Sequence, residues 1–353
     1  MNIYSILKEF NSEMLHSKIE FSKKMGALAS KSNSSIKTGK CIYCLKETKK
    51  YCNSHSIPYS FLSNISDNGC LYTHSKLINL PLLKNETGLN ESGTFYIICR
   101  DCDSKIFSDY ENKDNYKTVP TQKMLAQIAL KNFLKSVYQR TFEIALQKGI
   151  ESEINVNLSQ MINLKDIDLS ENIAGFKKSK KANEKINSNE YHLIFHTNLS
   201  YVVPIAFQHK ITIAVDLEGI VVNNLYSQTG KMQVLHLCVF PFESTSSIIL
   251  FMDKTHKNHK ALIQQFNKLN KDEKLALLNY IIFLYSEDYY LSPKINETII
   301  NNEVLKIVCG STGECFVNTS ATNVDRINAL NKNYSLSKFK LIPNLLSKEY
   351  RLR

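Results

Sequence analysis

Apolar positions recur at helical spacing in some stretches of the chain and alternate with polar ones in others. Ile3, Ile6, Leu7, Phe10, Met14, Leu15, Ile19 and Phe21 return every three or four residues, which predicts an amphipathic helix over 3–24. Residues 26–40 are rich in Ser, Lys, Gly and Asn and read as a flexible connector. From 119 to 148 the helical period returns at Leu125, Ile128, Ala129, Phe133, Leu134, Val137, Tyr138, Phe142 and Leu146. Pro120 near the start and Gly149 after the end bound it as one long helix. Residues 150–190 are mixed, with Lys177, Lys178, Lys180, Lys181 and Lys185 crowded near their end, and read as a linker. Short β-rich runs at 191–195, 211–215, 234–240 and 247–251 predict an antiparallel sheet. Helical patterns at 260–269 and 272–285 follow, so the C-terminal half reads as α+β, with helices on one sheet face.

A chain of 353 residues exceeds the usual size of one domain. The expected division is an N-terminal helix and linker (1–40), a cysteine-bearing module (41–115), a helical connector (116–188) and an α+β C-terminal domain (189–353). No apolar run approaches the roughly 20 residues that span a bilayer, and the N-terminus lacks the pattern of an export signal. The expectation is a cytoplasmic protein without a membrane partner. Nine cysteines, an odd number in a long chain, fit reduced thiols and metal ligation better than a disulfide framework. A formal charge of +11 favours contact with phosphate backbones. The richness in Lys, Asn and Ile runs through the whole chain, however, and a compositional bias produces the same excess.

Two Cys-x-x-Cys pairs carry the sharpest signal. Cys41-Ile-Tyr-Cys44 and Cys99-Arg-Asp-Cys102 each present two thiolates from a tight turn, and four thiolates at about 2.3 Å form the closed tetrahedral shell of structural Zn2+. Cys52 and His55 also stand three apart, so a shell of Cys41, Cys44, Cys52 and His55 is an alternative. Cys70, Cys238, Cys309 and Cys315 have apolar neighbours and read as buried thiols. His192, His196, His209 and His236 fall in the strand region, where a packed or surface imidazole is expected. His256 and His259 lie in a Lys-rich turn, and the segment 310–313 lacks the lysine of a phosphate loop.

Between the pairs lies Asn53-Ser54-His55-Ser56-Ile57-Pro58, and the second pair continues as Asp103-Ser-Lys-Ile-Phe107-Ser-Asp109-Tyr-Glu111. This order, Cys-x-x-Cys, then His-x-x-Pro, then Cys-x-x-Cys opening a helix, resembles the zinc-containing branch of the HNH endonuclease superfamily. The Ser-His-x-Ile-Pro wording is similar to a bacterial subgroup with a C-terminal extension, and 129–132 and 283–287 also look similar to it. The resemblance implies a treble-clef or ββα-metal fold for 41–115 and a DNA substrate, DNA being favoured over RNA. It implies His55 as the general base that activates the attacking water, with a divalent ion at the leaving oxygen. An imidazole with an ordinary pKa near 6.5 suits that work at cellular pH. It also implies a setting in bacterial defence. The C-terminal half is expected to be a sensing or substrate-binding domain for a ligand, partner or substrate.

The chain departs from the family at three positions. Ser54 stands where the family places Asp or His, Thr94 where it places an orienting Asn, and the closing His or Asn of the helix is missing. Asp103, Asp109 and Glu111 are the carboxylates near enough to hold Mg2+ or another hard cation. Asp103 and Glu111 are taken as the candidates, against a plain helix-start role favoured by the macrodipole. The departures support the alternative of a catalytically inactive zinc module that binds nucleic acid or protein.

Overall fold

The computed structural model describes residues 18–78, 84–154, 156–227, 231–311 and 322–352. The first helix, α1, spans Lys18–Ile36, so the connector expected over 26–40 is helical for most of its length. Most of the helix expected over 3–24 lies outside the described residues.

The cysteine-bearing segment begins after α1. Strand β1 (Ser54–His55) is followed by the short helix α2 (Tyr59–Ser63), β2 (Cys70–Tyr72), α3 (His74–Ile78), β3 (Glu86–Gly88) and β4 (Thr94–Phe95). β1 and β4 pair antiparallel, with Ser54 opposite Phe95 and His55 opposite Thr94. Gly93 enters this hairpin at φ +65, and a Cβ there would lie 2.4 Å from the Ser56 hydroxyl, so both backbone and space require glycine. Helices α4 (Arg100–Ile106) and α5 (Ser108–Glu111) complete the segment.

The long helix α6 runs Gln122–Ile154. Through its N-terminal turns Met124 to Leu130 and Leu134 are buried on every side, as in a helix enclosed by protein rather than laid on a surface. Its partner is α7 (Ser159–Glu184), which replaces the linker expected over 150–190. The two helices approach closely at Gly175, where a Cβ would meet the Phe133 ring at 2.2 Å. Two of the lysines near the end of α7 reach partners on distant segments. Lys178 Nζ lies 2.5 Å from Asp253 Oδ2, and Lys180 Nζ donates to the Tyr43 carbonyl at 2.6 Å while lying over the Tyr43 ring. The second helix thereby clamps the first cysteine turn.

Strands β5 (Tyr191–Leu199), β6 (Ile205–Ile211), β7 (Leu235–Pro241) and β8 (Ser246–Asp253) follow, then α8 (Lys260–Lys268), α9 (Lys271–Tyr285) and β9 (Tyr289–Leu291). The strand expected at 211–215 is displaced, because the ladder with β7 runs from Phe207 to Ile211. Short helices α10 (Glu297–Ile300), α11 (Glu303–Gly310) and α12 (Asn323–Tyr334) close the described chain. The fold is mixed helix and sheet, and its main sheet is seven-stranded in the order β3-β2-β9-β6-β7-β8-β5 with antiparallel pairings.

Helices were expected on one face of the sheet, yet both faces are covered. In β7, Leu235, Leu237 and Val239 pack toward α8, α9 and the C-terminal segments, whereas Cys238 and Phe240 pack toward α6 and the cysteine segment. Burial on both sides explains the nearly unbroken apolar runs of β7 and β8. Strands β2 and β3, inserted between the two cysteine pairs, extend the same sheet through Tyr72 opposite Leu291. Hydrophobic packing therefore runs across the boundaries expected at 115–116 and 188–189.

Candidate functional site

The two cysteine turns converge. The Sγ atoms of Cys41, Cys44, Cys99 and Cys102 all lie within 4.8 Å of one another, and they form the one such group of potential metal ligands among the described residues. The Cys41–Cys102 separation is 3.8 Å and the Cys44–Cys99 separation 3.9 Å. Sulfurs on a tetrahedral shell of radius about 2.3 Å stand about 3.8 Å apart, so the four cysteines have the spacing of a metal-ion site. The Cys99 backbone N–H donates to Cys41 Sγ at 3.3 Å, a bond that favours the thiolate. Burial pushes the Cys41 and Cys102 thiols up, and the Lys46 backbone N–H pulls the Cys44 thiol down to about 7. A bound cation is the ordinary means of keeping such a buried set deprotonated.

Cys52 and His55 do not enter this cluster, which sets aside the alternative shell. Cys52 instead donates to Asp103 Oδ2 at 3.3 Å. Cys238 and Cys309 are buried, Cys70 is half-buried, and Cys315 lies outside the described residues. His256 shares a hydrogen bond with the Val234 carbonyl at 3.1 Å, and His259 is fully buried, so neither is a solvated turn residue.

His55 stands on β1, held by the pairing with Thr94 and by Pro58 as the chain turns into α2. Its Nε2 lies 3.0 Å from the Leu89 carbonyl oxygen, and its ring packs edge-on against Tyr59. A carbonyl oxygen only accepts, so Nε2 carries the proton and Nδ1 the lone pair. Burial lowers the His55 pKa from its ordinary value, which keeps that lone pair available at neutral pH. The His55 ring is thus oriented by a backbone carbonyl and not by a side chain at position 94. A carbonyl leaves no side-chain signature in sequence.

Asp103 and Glu111, expected as cation ligands, both reach Lys131, but both Asp103 oxygens and one Glu111 oxygen are engaged. Ser54 Oγ donates to Asp103 Oδ1 at 2.5 Å, and Lys131 Nζ lies 2.6 Å from Glu111 Oε1 and 3.7 Å from Asp103 Oδ1. Lys131 comes from the enclosed part of α6, is 2% exposed, and places its ammonium 4.0 Å from the Phe107 ring centre. A buried ammonium needs such partners, because desolvation disfavours an isolated charge. Asp109 accepts from Gln127 Nε2 at 2.5 Å and takes no part. Lys131 and Leu89 are the site residues that sequence reasoning missed. A lysine amid the apolar turns of one helix was the available sign of the first.

No family model, curated protein or solved structure matches the chain, so its geometry alone bears on function. No helix among the described residues is long and apolar enough to cross a membrane.

Proposed function

We propose that this chain is a zinc-stabilised nuclease of HNH type that hydrolyses phosphodiester bonds in DNA. The observation that carries the reading is His55. It sits on a β-hairpin framed by the four-cysteine cluster, its tautomer is set by Leu89, and a buried cation lies among the adjacent carboxylates. The hairpin β1–β4 followed by α4 has the order of a ββα-metal unit. Cys41, Cys44, Cys99 and Cys102 hold Zn2+ in this reading, and four thiolates at tetrahedral spacing suit zinc.

The chemistry follows from the residues. His55 Nδ1 takes a proton from water as the water oxygen bonds to phosphorus, and the P–O bond to the leaving nucleotide breaks. The departing oxygen takes a proton from solvent. Lys131, buried and paired with Glu111 and Asp103, offsets part of the carboxylate charge near His55 rather than contacting the phosphate itself. The divalent ion implied by the resemblance does not fit Asp103 and Glu111 as they stand. Asp103 already accepts from Ser54 and Cys52, and Glu111 pairs with Lys131.

That same pairing favours a second reading, in which the module docks nucleic acid without cutting it. The test is cleavage of plasmid, linear and single-stranded DNA by the purified chain, with and without added Mg2+, Mn2+ or Ni2+. Cleavage abolished by His55→Ala supports the nuclease. Intact DNA under every condition in which a verified HNH enzyme cuts rejects it, and salt-dependent DNA binding unchanged by His55→Ala then supports the docking module.

A further inference from the structure

A second polar site lies farther along α6. A cavity of about 380 Å³ opens between α6, α7, the end of β6 and the turn after α9, within the size range of small-molecule sites. Arg140 is about 14 Å along α6 from Lys131, at 1.5 Å per residue, so this cavity is distinct from the His55 cluster.

Its carboxylates on the helical side are already partnered. Arg140 Nη1 lies 2.5 Å from Glu143 Oε2, Arg140 Nε donates to Asp168 Oδ2 at 2.6 Å, and Lys165 also pairs with Glu143. Three lining groups are left over. Lys210 makes no ion pair or hydrogen bond among the described residues, although Asp168 and Glu171 lie near enough to influence its charge. Asn172 is 2% exposed, yet its Nδ2 has no hydrogen-bond partner. His209 places Nε2 3.5 Å from Asp288 Oδ2 and leaves Nδ1 without a partner.

The chemistry of the leftover groups defines what would satisfy them. The Lys210 ammonium and the Asn172 amide N–H groups donate, so they call for anionic oxygen. With Nε2–H directed at Asp288, His209 Nδ1 accepts and calls for a hydroxyl. A buried amide donor without a partner costs about 1–3 kcal/mol, a cost that a bound acceptor removes. On the far wall Tyr285 and Tyr334 stack at 5.2 Å between ring centres and present aromatic surface.

We propose that this cavity binds a small phosphate monoester of a hydroxylated, nucleotide-sized molecule, with its phosphate on Lys210 and Asn172 and a sugar hydroxyl on His209. The proposal stands apart from the nuclease reading, since none of these residues belongs to the His55 cluster.

Isothermal titration of the full chain with AMP, ribose 5-phosphate and adenosine tests it. The expected result is saturable one-to-one binding of AMP, weaker binding of ribose 5-phosphate, and binding of adenosine reduced at least tenfold. Lys210→Met and Asn172→Leu are each expected to weaken AMP binding at least tenfold. Lys210 has no partner in the fold to lose, so Lys210→Met should melt as the parent does. Absence of saturable binding by both phosphate esters overturns the proposal. So does adenosine binding as tightly as AMP, or AMP affinity unchanged in Lys210→Met.

Discussion

The Nε2 atom of His55 is fixed 3.0 Å from the carbonyl oxygen of Leu89, a residue 34 positions away on the other side of the β2–β3 insertion. The insertion therefore does more than lengthen the loop between the cysteine turns. It joins the main sheet and returns a backbone carbonyl to the imidazole.

If His55 is the general base, His55→Ala lowers DNA cleavage by at least about 100-fold, the usual scale for losing general-base catalysis. The side chain is only half-buried, so the melting transition should shift little. Burial depresses its pKa below 6.5, and a base must be neutral to act. Cleavage should therefore be level from about pH 6.5 to 8 and fall only on the acid side of 6.5. A rate that instead rises through pH 7 with the slope of one ionisation assigns the base elsewhere.

The four-cysteine cluster predicts one metal ion per chain. Cys99→Ser/Cys102→Ser should remove it, as read by elemental analysis of the purified protein. The unfolding midpoint should fall by many degrees, because zinc binding in such sites contributes directly to folding free energy. Retention of one zinc equivalent and the parental melting curve by the double variant would show that the ion is held elsewhere.

Lys131 predicts a different signature. Lys131→Met leaves Asp103 and Glu111 facing each other without their shared cation, and both are partly exposed, at 22% and 35% of the side chain. Losing one partner of a fully buried pair costs about 3–5 kcal/mol, so partial exposure brings the expected cost to about 1–3 kcal/mol. Adding Glu111→Gln to Lys131→Met should recover part of it. Urea unfolding checks both, and a neutral Lys131→Met would mean that the ion pair contributes nothing to stability.

What sequence could show here depended on how local each signal was. The long helix, two later helices and three of the seven strands, β5, β7 and β8, were legible because apolar periodicity is set within a few residues. The convergence of Cys41, Cys44, Cys99 and Cys102 was legible because thiolate spacing within each turn is itself the signal. The helical character of 159–184 was hidden by its crowded lysines, which read as a linker until the partners of Lys178 and Lys180, Asp253 and Tyr43, appear from distant segments. The ammonium between Asp103 and Glu111 was hidden for the same reason, since Lys131 reaches them from another helix. Burial of β7 and β8 on both faces depends on α6 and α7, which pattern alone does not place.

Acid sensitivity follows from three histidines buried as neutral groups. His74 is 4% exposed and shares a 2.8 Å hydrogen bond with the Tyr289 hydroxyl, His236 is 1% exposed against the Phe251 ring, and His259 is fully buried with both ring nitrogens unpartnered. Burial lowers them to about 4, about 3 and about 4 respectively. In the unfolded chain each titrates near 6.5. Below that pH the unfolded state binds protons that the folded state does not, so stability is complete above pH 6.5 and declines as pH falls toward 4. At pH 5 the loss is on the order of 1–2 kcal/mol for each histidine, enough together to remove much of the stability of an ordinary domain. His259→Leu should raise stability at pH 5 and flatten the pH dependence by the share of one proton, since its imidazole has no hydrogen bond to lose. Unfolding free energies at pH 5 and pH 7 that agree within error would show that these rings are not held neutral by burial.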